Sequence, residues 1–220
     1  MAQVSWIVIA IVALTLSRQT DGPSATVFEG KQVEIITPQV DSIGSALASA
    51  RVCLRSADQS QCYTPPKGIL FFGLEPHATI IKLAVGDQAL LFTAVASGGG
   101  SGTQKVLALL KPGKGHDLDN LLPKGLTVSE QGEYQFWSEA SISPKLLLVT
   151  ANYVWNEGET HFSRHKFQVS TYVFSFSTQG YQLRDRYVTA KKYPGLDDTD
   201  DIHVLAFEKA RILLHLKRRK

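Results

Sequence analysis

From residue 27 to residue 190 the chain runs in short apolar stretches broken every few positions by glycine, proline or polar turn residues. The stretches are 31–36, 51–55, 61–63, 69–72, 79–85, 88–97, 103–110, 134–137, 145–155, 160–176 and 181–190. Val, Ile, Thr and aromatic residues dominate them, the side chains that pack well on a pleated surface. Pro65-Pro66, Gly86-Asp87 and the glycine run 98–102 mark turns, and 112–123 reads as a loop between prolines. The pattern predicts an antiparallel meander over 27–195, sandwich-like or partly propeller-like.

The character changes after Pro194-Gly195. Residues 196–201 (LDDTDD) form an acidic start, and 202–220 reads as a helix with bases at its end, the arrangement the helix dipole favours. Ile202, Leu205, Ala206, Leu213 and Leu216 give it an apolar stripe for packing on the β domain. The fold class expected is therefore mainly β with one C-terminal α-helix over 196–220. Within the β region, Leu90–Ala94 (LLFTA) is echoed 57 residues later by Leu147–Ala151 (LLVTA). The echo suggests two hairpins packed by the same rules, too few copies to close a propeller of four or more blades.

The 220 residues, 44% hydrophobic and 20% charged, have the balance of an ordinary globular chain. Residues 4–16 (VSWIVIAIVALTL) carry no charge but fall short of the roughly 20 residues of a membrane span. They fit the apolar core of a secretory signal over 1–17, or an uncleaved N-terminal anchor, although no Lys or Arg precedes them. The two cysteines, Cys53 and Cys62, are separated by eight polar-rich residues and match no zinc or redox spacing. A disulfide across a hairpin is expected, and with the leader it predicts an extracytoplasmic location: secreted, periplasmic or envelope-associated.

The net charge of +3 is concentrated at the end. Lys217, Arg218, Arg219 and Lys220 exceed it by themselves, leaving the remaining residues at −1. A nearly neutral body argues against nucleic acid as a partner. The basic end instead suits a polyanion or an anionic membrane surface.

Candidate chemistry is sparse. In 156–167 (NEGETHFSRHKF), His161 and His165 are four apart, but Phe162 stands where a zinc protease needs its glutamate base. Glu159 and His161 remain a candidate pair for a divalent metal, at the start of a predicted strand from 160. The glycine run lacks the Gly-Lys-Ser/Thr ending of a phosphate loop, and Thr103 breaks the G-x-S-x-G pattern around Ser101. Asp117 and Asp119, and the acids of 197–201, lack the spacing of a calcium loop. On 171–176, Tyr172, Phe174 and Phe176 alternate with smaller residues, a candidate ligand platform beside Arg184 and Arg186.

These features predict an exported β-rich binding or structural module without recognisable catalytic chemistry, its ligand a protein, peptide or glycan. One alternative is a secreted metal-assisted hydrolase using Glu159 and His161, the single reading that admits a cofactor. Another is an envelope-associated accessory protein that meets lipid or protein through its C-terminal helix.

Overall fold

The computed structural model describes residues 26–40, 46–65, 73–96, 104–129, 132–160, 162–194 and 203–218. The leader, the apolar stretch 69–72, the glycine run and the acidic stretch 196–201 lie outside the described residues.

Three sheets, each built from consecutive antiparallel strands, succeed one another along the chain. The first holds β1 (Val27–Phe28), β2 (Lys31–Ile36), β5 (Arg51–Arg55) and β6 (Ser60–Tyr63), with a small hairpin of β3 (Gln39–Val40) and β4 (Ala46–Ala48) between β2 and β5. The middle sheet holds β7 (Leu74–Ala84), β8 (Asp87–Val95), β9 (Gln104–Pro112) and β10 (Leu118–Asn120), with β11 (Thr127–Ser129) also paired to β9. The third holds β12 (Glu133–Trp137), β13 (Leu147–Val154), β14 (Lys166–Ser175) and β15 (Gly180–Val188), and α1 (Val204–Arg218) follows. The fold is mainly antiparallel β with a C-terminal helix, and none of the sheets closes into a barrel.

Successive side chains of a strand point to opposite faces, so a strand that is apolar at every position needs cover on both. β8 and β9 are such strands. Leu90, Phe92, Ala94, Val106, Ala108 and Leu110 pack against Phe28, Val52, Leu54 and Tyr63 of the first sheet. Ala89, Leu91, Leu107 and Leu109 turn the other way, onto Leu148, Tyr172, Phe174 and Tyr181 of the third. The outer face of the third sheet, with Leu147, Val149, Phe167 and Val169, is covered by Val204, Leu205, Ile212 and Leu216 of α1. The molecule is thus a stack of sheet, sheet, sheet and helix. The LLFTA and LLVTA segments are central strands of adjacent sheets, and their second leucines, Leu91 and Leu148, meet in the shared core.

Backbone bonds pin the layers at one end. Leu146 N donates to Leu83 O (2.9 Å) and Tyr181 N to Leu121 O (2.7 Å), each joining the middle and third sheets. Cys62 N donates to His116 O (3.0 Å), and Gln61 Nε2 to Gly115 O (2.8 Å), tying β6 to the β9–β10 connection. Cys53 and Cys62 face each other across the β5–β6 register and form the expected disulfide.

Three expectations are corrected, and the acidic start at 196–201 lies outside the described residues. Residues 112–123 contain β10, and β11 follows them; three-residue strands carry too little periodicity to read. The strand expected from 160 starts at Lys166, because the residues before it close into a hydrogen-bonded turn. Ala206 of the predicted helix stripe faces outward and Leu213 is half-buried; the covered face runs through Val204, Leu205, Glu208, Ile212 and Leu216. Among the described residues the carboxylate at the helix start comes from Glu133 on β12, which accepts from Leu205 N at 2.6 Å.

Two outcomes follow from this stacking. Leu148→Ala opens a cavity between two sheets that other layers hold in place, and it should lower unfolding stability by about 2–5 kcal/mol in denaturant titration. Replacing Cys53 and Cys62 together by Ala should cost about 2–3 kcal/mol, the loop-entropy value for a span this short. The double variant should then no longer respond to reductant.

Candidate functional site

The 156–165 segment is the densest polar cluster in the chain. Gly158 takes a positive φ of 78°, which turns the chain so that Glu159 lies back over Asn156. Asn156 donates its backbone N–H to Glu159 Oε2 (3.1 Å) and its amide to Oε1 (3.0 Å). Lys192 Nζ reaches Oε1 at 2.7 Å and His165 Nδ1 reaches Oε2 at 3.0 Å. Four donors thus occupy the two carboxylate oxygens, about as many as an ionised carboxylate accepts. The Lys192 ammonium first, and Asn156 next, hold the carboxyl down at about 2.

His165 is fully buried, with its rings of contact supplied by Tyr153 (4.3 Å between centroids) and Trp155 (5.1 Å). Its Nε2 lies 2.8 Å from Thr160 O. The polar groups of Asn156, Glu159, Thr160, Ser163 and His165 bond one another across the turn, and four donors already occupy the Glu159 carboxylate. His161 lies outside the described residues. Among the described residues, no three His, Cys, Asp or Glu side chains gather as a metal site would require.

A second polar seam docks α1 on the third sheet. Glu208, buried on the inner face of the helix, accepts from Tyr193 Oη (2.5 Å) and Tyr187 Oη (2.9 Å), with Arg211 at 3.8 Å. Burial and then the Glu208 charge push both phenols well above the ordinary tyrosine range, so both remain donors. Two turns on from Glu208, His215 Nδ1 lies 3.0 Å from the buried Asp185 of β15, and the His215 ring packs on Tyr187. These contacts fix the register of the helix on the sheet. The last covered residue, Leu216, comes to rest beside the β14–β15 hairpin.

Beyond that last turn the sheet face is uncovered, leaving a groove of about 330 Å³ lined by Ile142, Val173, Phe174, Leu183, Arg184 and Leu216, with Ser175 and Gln182. The pairing of β14 with β15 steps from Thr171↔Asp185 to Tyr172↔Leu183, so Arg184 falls in a bulge. A bulge redirects the side chain it carries, and here Arg184 lies on the groove's rim. Around the hairpin end a second groove, of about 460 Å³, is lined by Lys111, Asp119, Asn120, Lys145, Phe174, Thr178 and Gln179. Lys111 and Lys145 both bond Asp87 beside it, and Lys145 Nζ sits 3.5 Å from the centre of the Phe174 ring. Burial works to raise the Asp87 carboxyl, but the hydrogen bonds and charges of the two lysines outweigh it and lower it.

The residues expected as a ligand platform therefore separate. Phe174 borders both grooves and Arg184 lines one, whereas Tyr172 is held in the core between sheets. Phe176 is 60% exposed against Phe174, and Arg186 is exposed farther along β15. Lys217 and Arg218 are exposed and follow Leu216, the helix residue that lines the groove with Phe174. Arg219 and Lys220 lie outside the described residues. Ile142 and Leu216 gave no sequence signal as groove residues, since only the packing of distant elements brings them together. Compared with known protein families, curated proteins and solved structures, the chain matches none.

The turn has a pH signature. The Glu159 carboxyl lies near 2 when folded, below its ordinary 4.5, so its contribution is complete above about 4.5 and is lost as pH falls toward 2. Glu159→Gln should flatten stability over that window and lower it at pH 7, as read by thermal melts across pH. An unchanged acid limb would remove the role assigned to this carboxylate.

Proposed function

We propose that this protein is an extracytoplasmic binding module whose ligand is a small amphipathic anion, held in the groove between the β14–β15 hairpin and the last turn of α1. The observation that carries the reading is Arg184, placed by the bulge over a floor made of Val173, Phe174, Leu183, Ile142 and Leu216. Ligand sites are typically apolar concavities of about 300–1,000 Å³ with a few placed polar groups. The groove's volume of about 330 Å³ is at the lower end of that range.

An apolar floor favours an alkyl or aromatic body, and the guanidinium favours a carboxylate or phosphate head. Arg184 has five N–H donors, enough to serve an anion together with contacts inside the chain. Gln182 and Ser175 offer further polar groups on the floor, and Lys217 and Arg218 follow the helix residue that forms one wall. The disulfide supports an oxidising compartment. The hydrolase reading loses support, because Glu159 is saturated by its own turn.

Calorimetric titration with decyl phosphate below its micelle concentration tests the proposal. Saturable one-site binding is expected, weakened roughly 10–100-fold in Arg184→Ala, the effect of losing charge-assisted hydrogen bonds. Arg184→Lys should restore part of the affinity. Absence of binding, or equal affinity in Arg184→Ala, would overturn it.

A further inference from the structure

The helix has a second apolar face. Val204, Leu205, Glu208, Ile212 and Leu216 are covered by the third sheet. On the opposite side, Phe207, Ala210 and Leu214 recur at i, i+3 and i+7, flanked by Ala206 and Leu213. Phe207 is 69% exposed and Leu214 48%, two large apolar side chains in one stripe on the outside of the molecule. A helix that is apolar on two opposite faces needs two partners, and the sheet supplies one.

The charges on α1 indicate the chemistry of the other. Its single acid, Glu208, is turned inward onto Tyr187 and Tyr193. Lys217 and Arg218 end the outward stripe, whereas Lys209 and Arg211 reach back over the Trp137 and Tyr187 rings of the third sheet, so α1 presents bases and no acid to solvent. Lys191 adds a base beside the stripe, with Nζ 5.0 Å from the Phe207 ring centre. Asp197, Asp198, Asp200 and Asp201 precede the helix in sequence, which assigns the electrostatic attraction to its C-terminal half. Arg184 and Arg186 of β15 belong to the same end, since Asp185 between them bonds His215.

We infer that the outward face of α1 lies on an anionic bilayer surface, with Phe207 and Leu214 entering the interface and Lys217 and Arg218 meeting lipid headgroups. Apolar residues edged by Lys and Arg are the composition of a helix that lies in the interfacial plane. Fifteen residues rise only about 22 Å, short of the roughly 30 Å hydrocarbon core, so the geometry is one of lying on the membrane. A second copy of the chain is the competing occupant, but a twofold contact through this stripe gathers the bases of both helices around one interface. Phosphate headgroups answer the same bases with opposite charge.

The test is co-sedimentation of the full chain with vesicles of phosphatidylcholine alone or containing 30% phosphatidylglycerol. Binding is expected only with the anionic lipid and should weaken at high salt. Each basic residue near the surface is worth about fivefold in partitioning, so Lys217→Gln/Arg218→Gln should lower it by roughly 25-fold. Phe207→Ser/Leu214→Ser should lower it by at least tenfold with an unchanged melting temperature, since both side chains are exposed. No binding to the anionic vesicles, equal binding to both, or unchanged binding of either variant would overturn the inference. So would a dimer in sedimentation velocity that the Phe207→Ser/Leu214→Ser variant abolishes. Decyl phosphate titration of the unsubstituted chain reads the groove separately: groove binding without vesicle binding defeats this inference alone, and vesicle binding without groove binding defeats only the proposed function.

Discussion

The central strands of the middle sheet, β8 and β9, have no side that faces water along most of their length, and that constraint organises the molecule. Side chains on β8 and β9 alternate between two apolar faces, so a sheet must lie against each. Antiparallel sheets commonly leave one face wet; here the middle layer is wet at its β7 edge, and the broad polar face belongs to the first sheet. The first sheet does so through Gln32, Glu34, Arg51 and Arg55, opposite the Val33, Ile35, Val52 and Leu54 it turns inward. The third sheet cannot do the same, because Leu147, Val149 and Phe167 point away from the middle layer. The helix is the consequence: it covers a face that would otherwise be an apolar plane.

How the helix is held then determines what surface remains. Packing alone allows a helix to slide along an apolar face, whereas hydrogen-bonded carboxylates fix its register. Glu133 bonds the first turn, Glu208 two tyrosines from the middle, and Asp185 the histidine of the last turn. Because these anchors set Leu216 beside the β14–β15 hairpin, it forms one wall of the groove there. The seam also withdraws the helix's only acid from solvent, so one arrangement sets both the concavity and the charge of the surface beside it.

The sequence announced the strands because apolar runs punctuated by Gly and Pro have few other interpretations, and the cysteine spacing announced the disulfide for the same reason. What it concealed was depth. A fully apolar run such as LLFTA is compatible with a buried helix or a strand covered on both faces, and nothing local counts the layers above it. The helix was legible but its inner face was not: Ala206 and Leu213 looked as suitable for burial as Val204 and Ile212, since both sides are apolar. The turn at 156–165 misled in the opposite way. Its histidines and glutamates resemble ligands, yet Lys192, a distant residue that saturates Glu159, comes into reach only when β15 returns alongside β14. Of the proposed groove residues, Phe174 and Arg184 were visible as an aromatic strand with a neighbouring base. Ile142 and Leu216 were not, because their meeting depends on tertiary packing.

The bulge in β15 has a consequence for how such a molecule changes over generations. Arg184 falls between register pairs, so the ladder that joins the two strands makes no demand on which side chain stands there. The layers behind it, by contrast, leave little freedom at Leu148 or Phe167. A lineage can therefore change the charge or length of the residue at 184 at less cost to the scaffold than at Leu148, and the surface around it can drift on a fold that does not.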